Sequence, residues 1–178
     1  MRKIAIFDMD GTLIDTDAAN AAAYQDAIGQ TGIGSALGMY GRVTSAVVRD
    51  VLGGSFADGV EEVERIKIEE YSRQLWHARL GNAADAFKCI ILNRDMLDKV
   101  VLLSDGKERR VLETLWHFKV DGFFDEIVCN GGHGNKYDNY FKAFDSDPAA
   151  CVVWENEEGQ IKSAIAAGVK MENIRKVG

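Results

Sequence analysis

Along this chain, short apolar runs alternate with longer stretches in which apolar residues recur at helical spacing. Lys3 to Met9 is an apolar run rich in Ile, Phe and Ala that stops at Asp10-Gly11, and it predicts a buried strand. Asp17 to Gln30 is alanine-rich and predicts a helix. Gly29 to Gly41 is punctuated by glycine and reads as loop. A further helix from about Arg42 to Leu52 stops at Gly53-Gly54. Another runs from about Asp58 to Leu80, where Val60, Val63, Ile66, Tyr71, Leu75 and Leu80 recur near helical spacing with charged residues between them.

Beyond Asn82 the pattern changes. A helix over Ala83 to Leu92 is followed by strands at Lys99 to Leu103, Glu126 to Cys129, Ala150 to Trp154 and Ile174 to Val177. Helices are expected between them at Lys107 to Phe118, Tyr137 to Phe144 and Glu157 to Ala167. Alternation of this kind implies parallel βαβ units in a doubly wound, Rossmann-like α/β sheet. The all-helical stretch 16–82 interrupts the alternation after the first strand. It is therefore expected to be a helical cap inserted into a core made of 1–15 and 83–178. Hinges are expected near Asp15 to Asp17 and Gly81 to Ala83.

Composition narrows the function. The chain has 178 residues, 47% of them hydrophobic, enough for a packed core with room for one insert. A formal net charge of -7 disfavours nucleic acid as a partner, yet leaves room for a small phosphorylated ligand held by a local cation. Cys89, Cys129 and Cys151 form no CxxC pair, which argues against a zinc knuckle or a disulfide framework. Free thiols fit a reducing compartment. The apolar run Ile4 to Phe7 is too short for a signal peptide, and no stretch approaches membrane-helix length. A cytoplasmic protein is expected. Oligomeric state is not readable from the sequence.

Open α/β sheets bind ligands beyond the carboxyl ends of their strands. Here the first strand ends at Asp8-Met9-Asp10-Gly11-Thr12, the second at Ser104-Asp105-Gly106, and the strand near Val152 at Glu155-Asn156. Lys136 follows the loop after a fourth strand. Carboxylates gathered on one rim call for a cation, and oxygen ligands suit magnesium. Asp-x-Asp-Gly has two plainer readings. An EF-hand loop needs its glycine at the sixth position, whereas Gly11 is at the fourth. A simple strand-closing turn leaves the other strand-end residues unexplained.

These residues carry a resemblance. Ile6-Phe7-Asp8-Met9-Asp10-Gly11-Thr12 is similar to the first motif of haloacid dehalogenase-like hydrolases. Val101 to Asp105 resembles the second motif, Lys136 lies where the third-motif lysine falls, and Cys151 to Asn156 resembles the fourth. The order holds over nearly the whole chain, and the helical insert resembles the cap of the phosphoglycolate phosphatase and β-phosphoglucomutase branch. The resemblance implies a magnesium-dependent phosphatase acting on a small phosphate monoester. In it Asp8 is the nucleophile, Asp10 the general acid and base, Ser104 a donor to the phosphoryl group, and Lys136 the stabiliser of negative charge. It implies Mg2+ ligands among Asp8, Asp10, Glu155 and Asn156, and substrate contacts at Thr12, Ser104 and Asp105. A phosphomutase uses the same residues, and a non-catalytic relative retained for phosphate binding or protein interaction is the other alternative. Two departures bear on this. The family usually has a second acid where Asn156 stands, and this branch usually has proline where Tyr137 stands.

Other features are weaker. Gly131 to Lys136 lacks the Gly-Lys-Ser/Thr succession of a P-loop. Arg42 is a candidate contact for a second anionic group on the substrate, against the plain reading of a surface arginine at a helix start. Lys107, Arg109 and Arg110 read as a solvated helix face rather than an anion site. His77, His117 and His133 have no metal spacing, and His117, between Trp116 and Phe118, reads as partly buried structure. Trp154 reads as core.

Overall fold

The computed structural model describes residues 3–31, 45–52 and 57–178. In chain order it forms β1 (Lys3–Phe7), β2 (Ile14–Asp15), α1 (Asp17–Thr31), α2 (Ser45–Leu52), α3 (Ala57–Gln74), β3 (Arg79–Leu80) and α4 (Ala84–Leu92). The chain continues through β4 (Leu97–Ser104), α5 (Glu108–Phe118), β5 (Glu126–Cys129), α6 (Lys136–Phe144), β6 (Cys151–Glu155), α7 (Glu158–Ala166) and β7 (Ile174–Lys176). Contacts divide it into two compact units, Met1–Asp15 with Leu80–Gly178, and Thr16–Arg79.

In the first unit, five parallel strands lie in the order β5-β4-β1-β6-β7. The first strand of the chain thus sits at the centre, with Phe7 opposite Leu102 on one side and Trp154 on the other. Alternate residues of β1 serve opposite faces. Ile6 joins Val101, Leu103, Tyr137, Tyr140, Phe141 and Val153 in one core cluster. Phe7 stacks on Trp154, ring centroids 4.4 Å apart, and meets Phe87 of α4 edge-on at 5.2 Å. A central strand buried on both faces explains the unbroken apolar run that marks it in the sequence.

In the second unit, Ala19, Ala23 and Ala27 recur every fourth residue along α1 and are fully buried. Ala27 clusters with Tyr24, Ile28, Val48, Val60, Val63 and Ile66, while Ala19 and Ala23 cluster with Tyr71 and Leu75. The small side chains let α1 and α3 lie close. Gln30 and Gln74 then bond across to Glu70 and Asp26. Lys67 Nζ lies over the rings of Tyr24 and Tyr71 at 5.0 and 4.9 Å, a cation–π contact that accommodates a buried lysine. The third helix is shorter than its sequence pattern suggests. It ends at Gln74, a single 3-10 turn follows over Leu75–His77, and Leu80 belongs to a strand. Leu75 is still buried, so its helical spacing reflects packing continued past the helix end.

Among the described residues no helix is long and apolar enough to cross a membrane. His117 is exposed, edge-on to Phe118, because α5 turns that face outward; the expectation of partial burial is corrected. Burial raises the Cys129 thiol to about 11 and the Cys151 thiol to about 12, so both pack as small hydrophobes rather than as nucleophiles.

Asp125 ties the start of β5 to β4. Its carboxylate accepts from the Val100 N–H at 2.6 Å and pairs with Arg94. Burial works against the charge, but the Arg94 and Val100 hydrogen bonds outweigh it and hold the carboxyl below its ordinary value of 3.8. A depressed folded pKa stabilises above the unfolded pKa and is lost as pH falls through the folded one. Asp125→Asn is therefore expected to melt earlier than wild type at neutral pH. The gap should close below roughly pH 4, measured by thermal melts across pH.

Candidate active site

The Asp8 N–H donates to Trp154 O at 3.1 Å, which carries strand pairing one residue past β1. The chain then curls. Met9 O accepts from the N–H groups of Thr12, Leu13 and Ile14 at 3.3, 3.1 and 2.9 Å. Gly11 takes φ +76, and a Cβ there would lie 2.3 Å from the Asn156 amide nitrogen. Only glycine meets both demands cheaply, and its bare α-carbon lets the chain just past β1 touch the end of β6. The Thr12 hydroxyl completes the contact by donating to Asn156 Oδ1 at 3.1 Å.

Lys136 arrives from the far side. Asn135 caps α6, its side-chain oxygen accepting from the N–H groups of Tyr137 and Asp138 at 3.0 and 3.3 Å. Lys136 is the first residue of that helix, and its Nζ lies 2.6 Å from Asp8 Oδ1 and 2.9 Å from Glu155 Oε2. The three side chains are 1%, 8% and 1% exposed, so one ammonium serves two carboxylates almost out of water.

Burial pushes the Asp8 carboxyl upward; Lys136 opposes the rise, while Glu155 and Asp10 add to it. Burial lowers the Lys136 ammonium, but Asp8 and Glu155 more than reverse this and keep it protonated. Burial and the nearby Glu155 and Asp8 charges raise the Tyr137 hydroxyl well above its ordinary value, so it acts as a donor.

A carboxylate offers about four lone-pair sites. Glu155 fills that complement. Oε2 accepts from Lys136 Nζ and from the Tyr137 hydroxyl at 2.8 Å, and Oε1 accepts from the N–H groups of Asn156 and Glu157 at 3.0 and 3.2 Å. Glu155 is thus the buried anchor of Lys136. Tyr137, which stands where the resemblance leads one to expect proline, supplies one of the four bonds. The tyrosine hydroxyl was not legible as a site group, because only the folded chain brings it to Glu155.

A model of the family described as haloacid dehalogenase-like hydrolase matches residues 5–174. The chain belongs to this family. A protein of Haemophilus influenzae without a described function is 23% identical over 186 residues, covering 96% of this chain and 90% of its own. CbbY from Rhodobacter sphaeroides in complex with phosphate has 16% identity and a TM-score of 0.70, over 96% of this chain and 84% of that one. A haloacid dehalogenase-like hydrolase from Streptococcus pneumoniae has 15% identity and a TM-score of 0.69, over 95% and 82%. At such identities the two structures show a shared fold.

In this haloacid dehalogenase-like chain the remaining candidates fall as follows. Ser104 is fully buried, its Oγ accepting from the Gly106 N–H at 3.0 Å. Asp105 is taken up by its neighbours, accepting from Asn130 Nδ2 and Gln160 Nε2 at 2.7 Å each. It braces the loop after β5 and the start of α7 against the loop after β4. Arg42 lies outside the described residues. Asp10 is gripped by Arg110, whose Nη1 and Nη2 donate to its two oxygens at 2.7 and 2.5 Å. Arg110, read from sequence as part of a solvated face, is the functional candidate that local pattern missed.

Among the described residues no three His, Cys, Asp or Glu side chains converge as a metal cage. The rim brings together the Asp8 carboxylate and the Asn156 amide oxygen, which accepts from Thr12, with Glu155 behind them, and the resemblance adds Asp10 as a ligand. Magnesium is commonly held by one or two carboxylates together with substrate phosphate, and this donor set fits that chemistry at its low-charge end.

Proposed function

We propose that this chain is a magnesium-dependent phosphatase that hydrolyses a small phosphate monoester in the cytoplasm through an aspartyl-phosphate on Asp8. The observation that carries the reading is the buried Lys136 ammonium shared between Asp8 and Glu155 at the centre of the sheet. A lysine so placed aims one Asp8 oxygen and offsets the charge of a phosphoryl group brought beside it. Further support comes from the family to which the chain belongs and from a fold neighbour solved with phosphate. The same neighbour, in complex with xylulose-(1,5)bisphosphate, has a TM-score of 0.73. A phosphorylated sugar is a reasonable first class of substrate.

In the first half-reaction the Asp8 carboxylate oxygen attacks phosphorus and the bond to the ester oxygen breaks. Asp10 delivers a proton to that leaving oxygen. In the second, water attacks the same phosphorus and gives its proton to Asp10, and the bonding pair returns to Asp8. Ser104 donates to the phosphoryl oxygens. Magnesium would be held by Asp8, Asp10 and Asn156, with Glu155 behind them, and would supply positive charge for the phosphoryl oxygens. The helical unit Thr16–Arg79 is the candidate for substrate selection.

Asn156 favours one second reading, a binding-only relative, because an amide brings no charge to the metal. Hydrolysis of an aryl phosphate separates the two. The phosphatase reading expects turnover with magnesium and its loss in EDTA. Phosphate binding with no turnover of aryl or sugar phosphates would favour the binding-only protein, and transfer to a second sugar position would favour a mutase.

A further inference from the structure

Arg110 differs from the ordinary surface arginines of this chain. Its neighbour Arg109 pairs with Glu113 one turn along α5, the kind of exposed pair that contributes little. Arg110 instead reaches a residue 100 positions away and grips both of its carboxylate oxygens, a fork that fixes orientation as well as distance. The pair is mostly covered, with side chains 22% and 20% exposed. Room for the fork is made by Gly106: a Cβ there would lie 2.5 Å from Arg110 Nη2 and 2.8 Å from Val111 Cγ2. The same glycine donates its N–H to Ser104 Oγ. One short loop therefore sets both Ser104, the proposed phosphoryl donor, and the arginine that holds Asp10.

We propose that Arg110 is a positioning residue for the hydrolytic half-reaction, holding the Asp10 carboxylate by a two-point fork laid across the bare α-carbon of Gly106. The inference rests on the phosphohydrolase reading above. A carboxylate has about four lone-pair sites and the fork takes two, so gripping by arginine is compatible with accepting a proton. In hydrolysis a water oxygen attacks the phosphorus of phospho-Asp8. The bond from phosphorus to the Asp8 oxygen breaks, its electron pair stays on Asp8, and the water proton passes to Asp10. Water is a poor nucleophile and needs that base correctly placed. A good leaving group such as nitrophenolate departs without help, so with an aryl ester the first half-reaction depends little on Asp10. Loss of the fork should therefore slow breakdown of the phospho-enzyme and spare its formation.

The test is rapid-quench kinetics with para-nitrophenyl phosphate and magnesium on wild type, Arg110→Ala, Arg110→Lys and Gly106→Ala. The burst of nitrophenol should stay within about threefold of wild type. Steady-state kcat should fall about tenfold or more in Arg110→Ala, with KM falling alongside it and phospho-enzyme accumulating. Arg110→Lys should retain part of the rate, since it keeps charge without the fork. Gly106→Ala should resemble Arg110→Ala. Added guanidinium at millimolar concentration should restore breakdown in Arg110→Ala, an effect that a purely structural role gives no reason to expect. Wild-type kcat in Arg110→Ala overturns the inference. So does equal loss of both half-reactions without guanidinium rescue. If wild type itself neither turns over nor forms phospho-enzyme, the phosphohydrolase reading falls and takes this inference with it.

Discussion

Lys136→Met is expected to destabilise the fold by about 3–5 kcal/mol and to abolish turnover, because it removes an ammonium shared by two buried carboxylates. Lys136 is 1% exposed in its side chain and lies 2.6 Å from Asp8 and 2.9 Å from Glu155. Methionine keeps most of the volume, so the loss reports charge rather than a cavity. Glu155 retains the Tyr137 hydroxyl and two backbone N–H donors, whereas Asp8 loses its Lys136 bond. Domains of this kind are stable by only about 5–15 kcal/mol, so the variant is expected to sit near the edge of folding. Urea unfolding of the two proteins measures the difference. Equal midpoints and slopes would show that the ammonium does not hold this centre together.

Asp8→Asn is expected to behave oppositely on the two axes. Turnover should fall by about four orders of magnitude or more, since the attacking oxygen is gone and the amide cannot form the phosphoryl ester. Stability should change little or rise. Burial disfavours charge at Asp8, and the neighbouring Glu155 and Asp10 add to that penalty. Replacing a strained buried charge with a neutral isostere relieves the penalty, while Lys136 keeps its contact with Glu155. A catalytic position that becomes more stable when disabled is a common trade between function and folding. Paired melts and steady-state assays of one preparation test both halves.

The sheet was legible in the sequence because its central strands are buried on both faces. Ile4 to Phe7, Val100 to Leu103 and Cys151 to Trp154 are short apolar runs ended by polar residues, and all lie in the parallel sheet. Strand order was not legible. Alternation implies parallel strands, but the central place of β1 depends on which edges pair in three dimensions. The two-residue strands at Ile14–Asp15 and Arg79–Leu80 are too short to leave a period-two pattern.

Residues fixed at strand ends were the readable part of the site. Asp8, Asp10, Ser104 and Glu155 follow apolar runs, and the fold puts Asp8 and Glu155 on the same lysine. Groups delivered by helices were not readable. Arg109 and Arg110 are adjacent in sequence, yet a helix sends successive side chains to different faces, and only Arg110 points to Asp10. Tyr137 stands out in the sequence only as an unexpected residue after the lysine. Its reason is the hydrogen bond to Glu155, a partner 18 residues on.

The most direct measurement is the mass of the Asp8 peptide after the wild-type protein is mixed with an aryl phosphate and magnesium and quenched in acid. One added phosphoryl group on Asp8, absent from Asp8→Asn, is the expected result. Turnover by the wild-type protein with the phosphoryl group on another residue, or undiminished turnover by Asp8→Asn, would contradict the assignment of Asp8 as nucleophile.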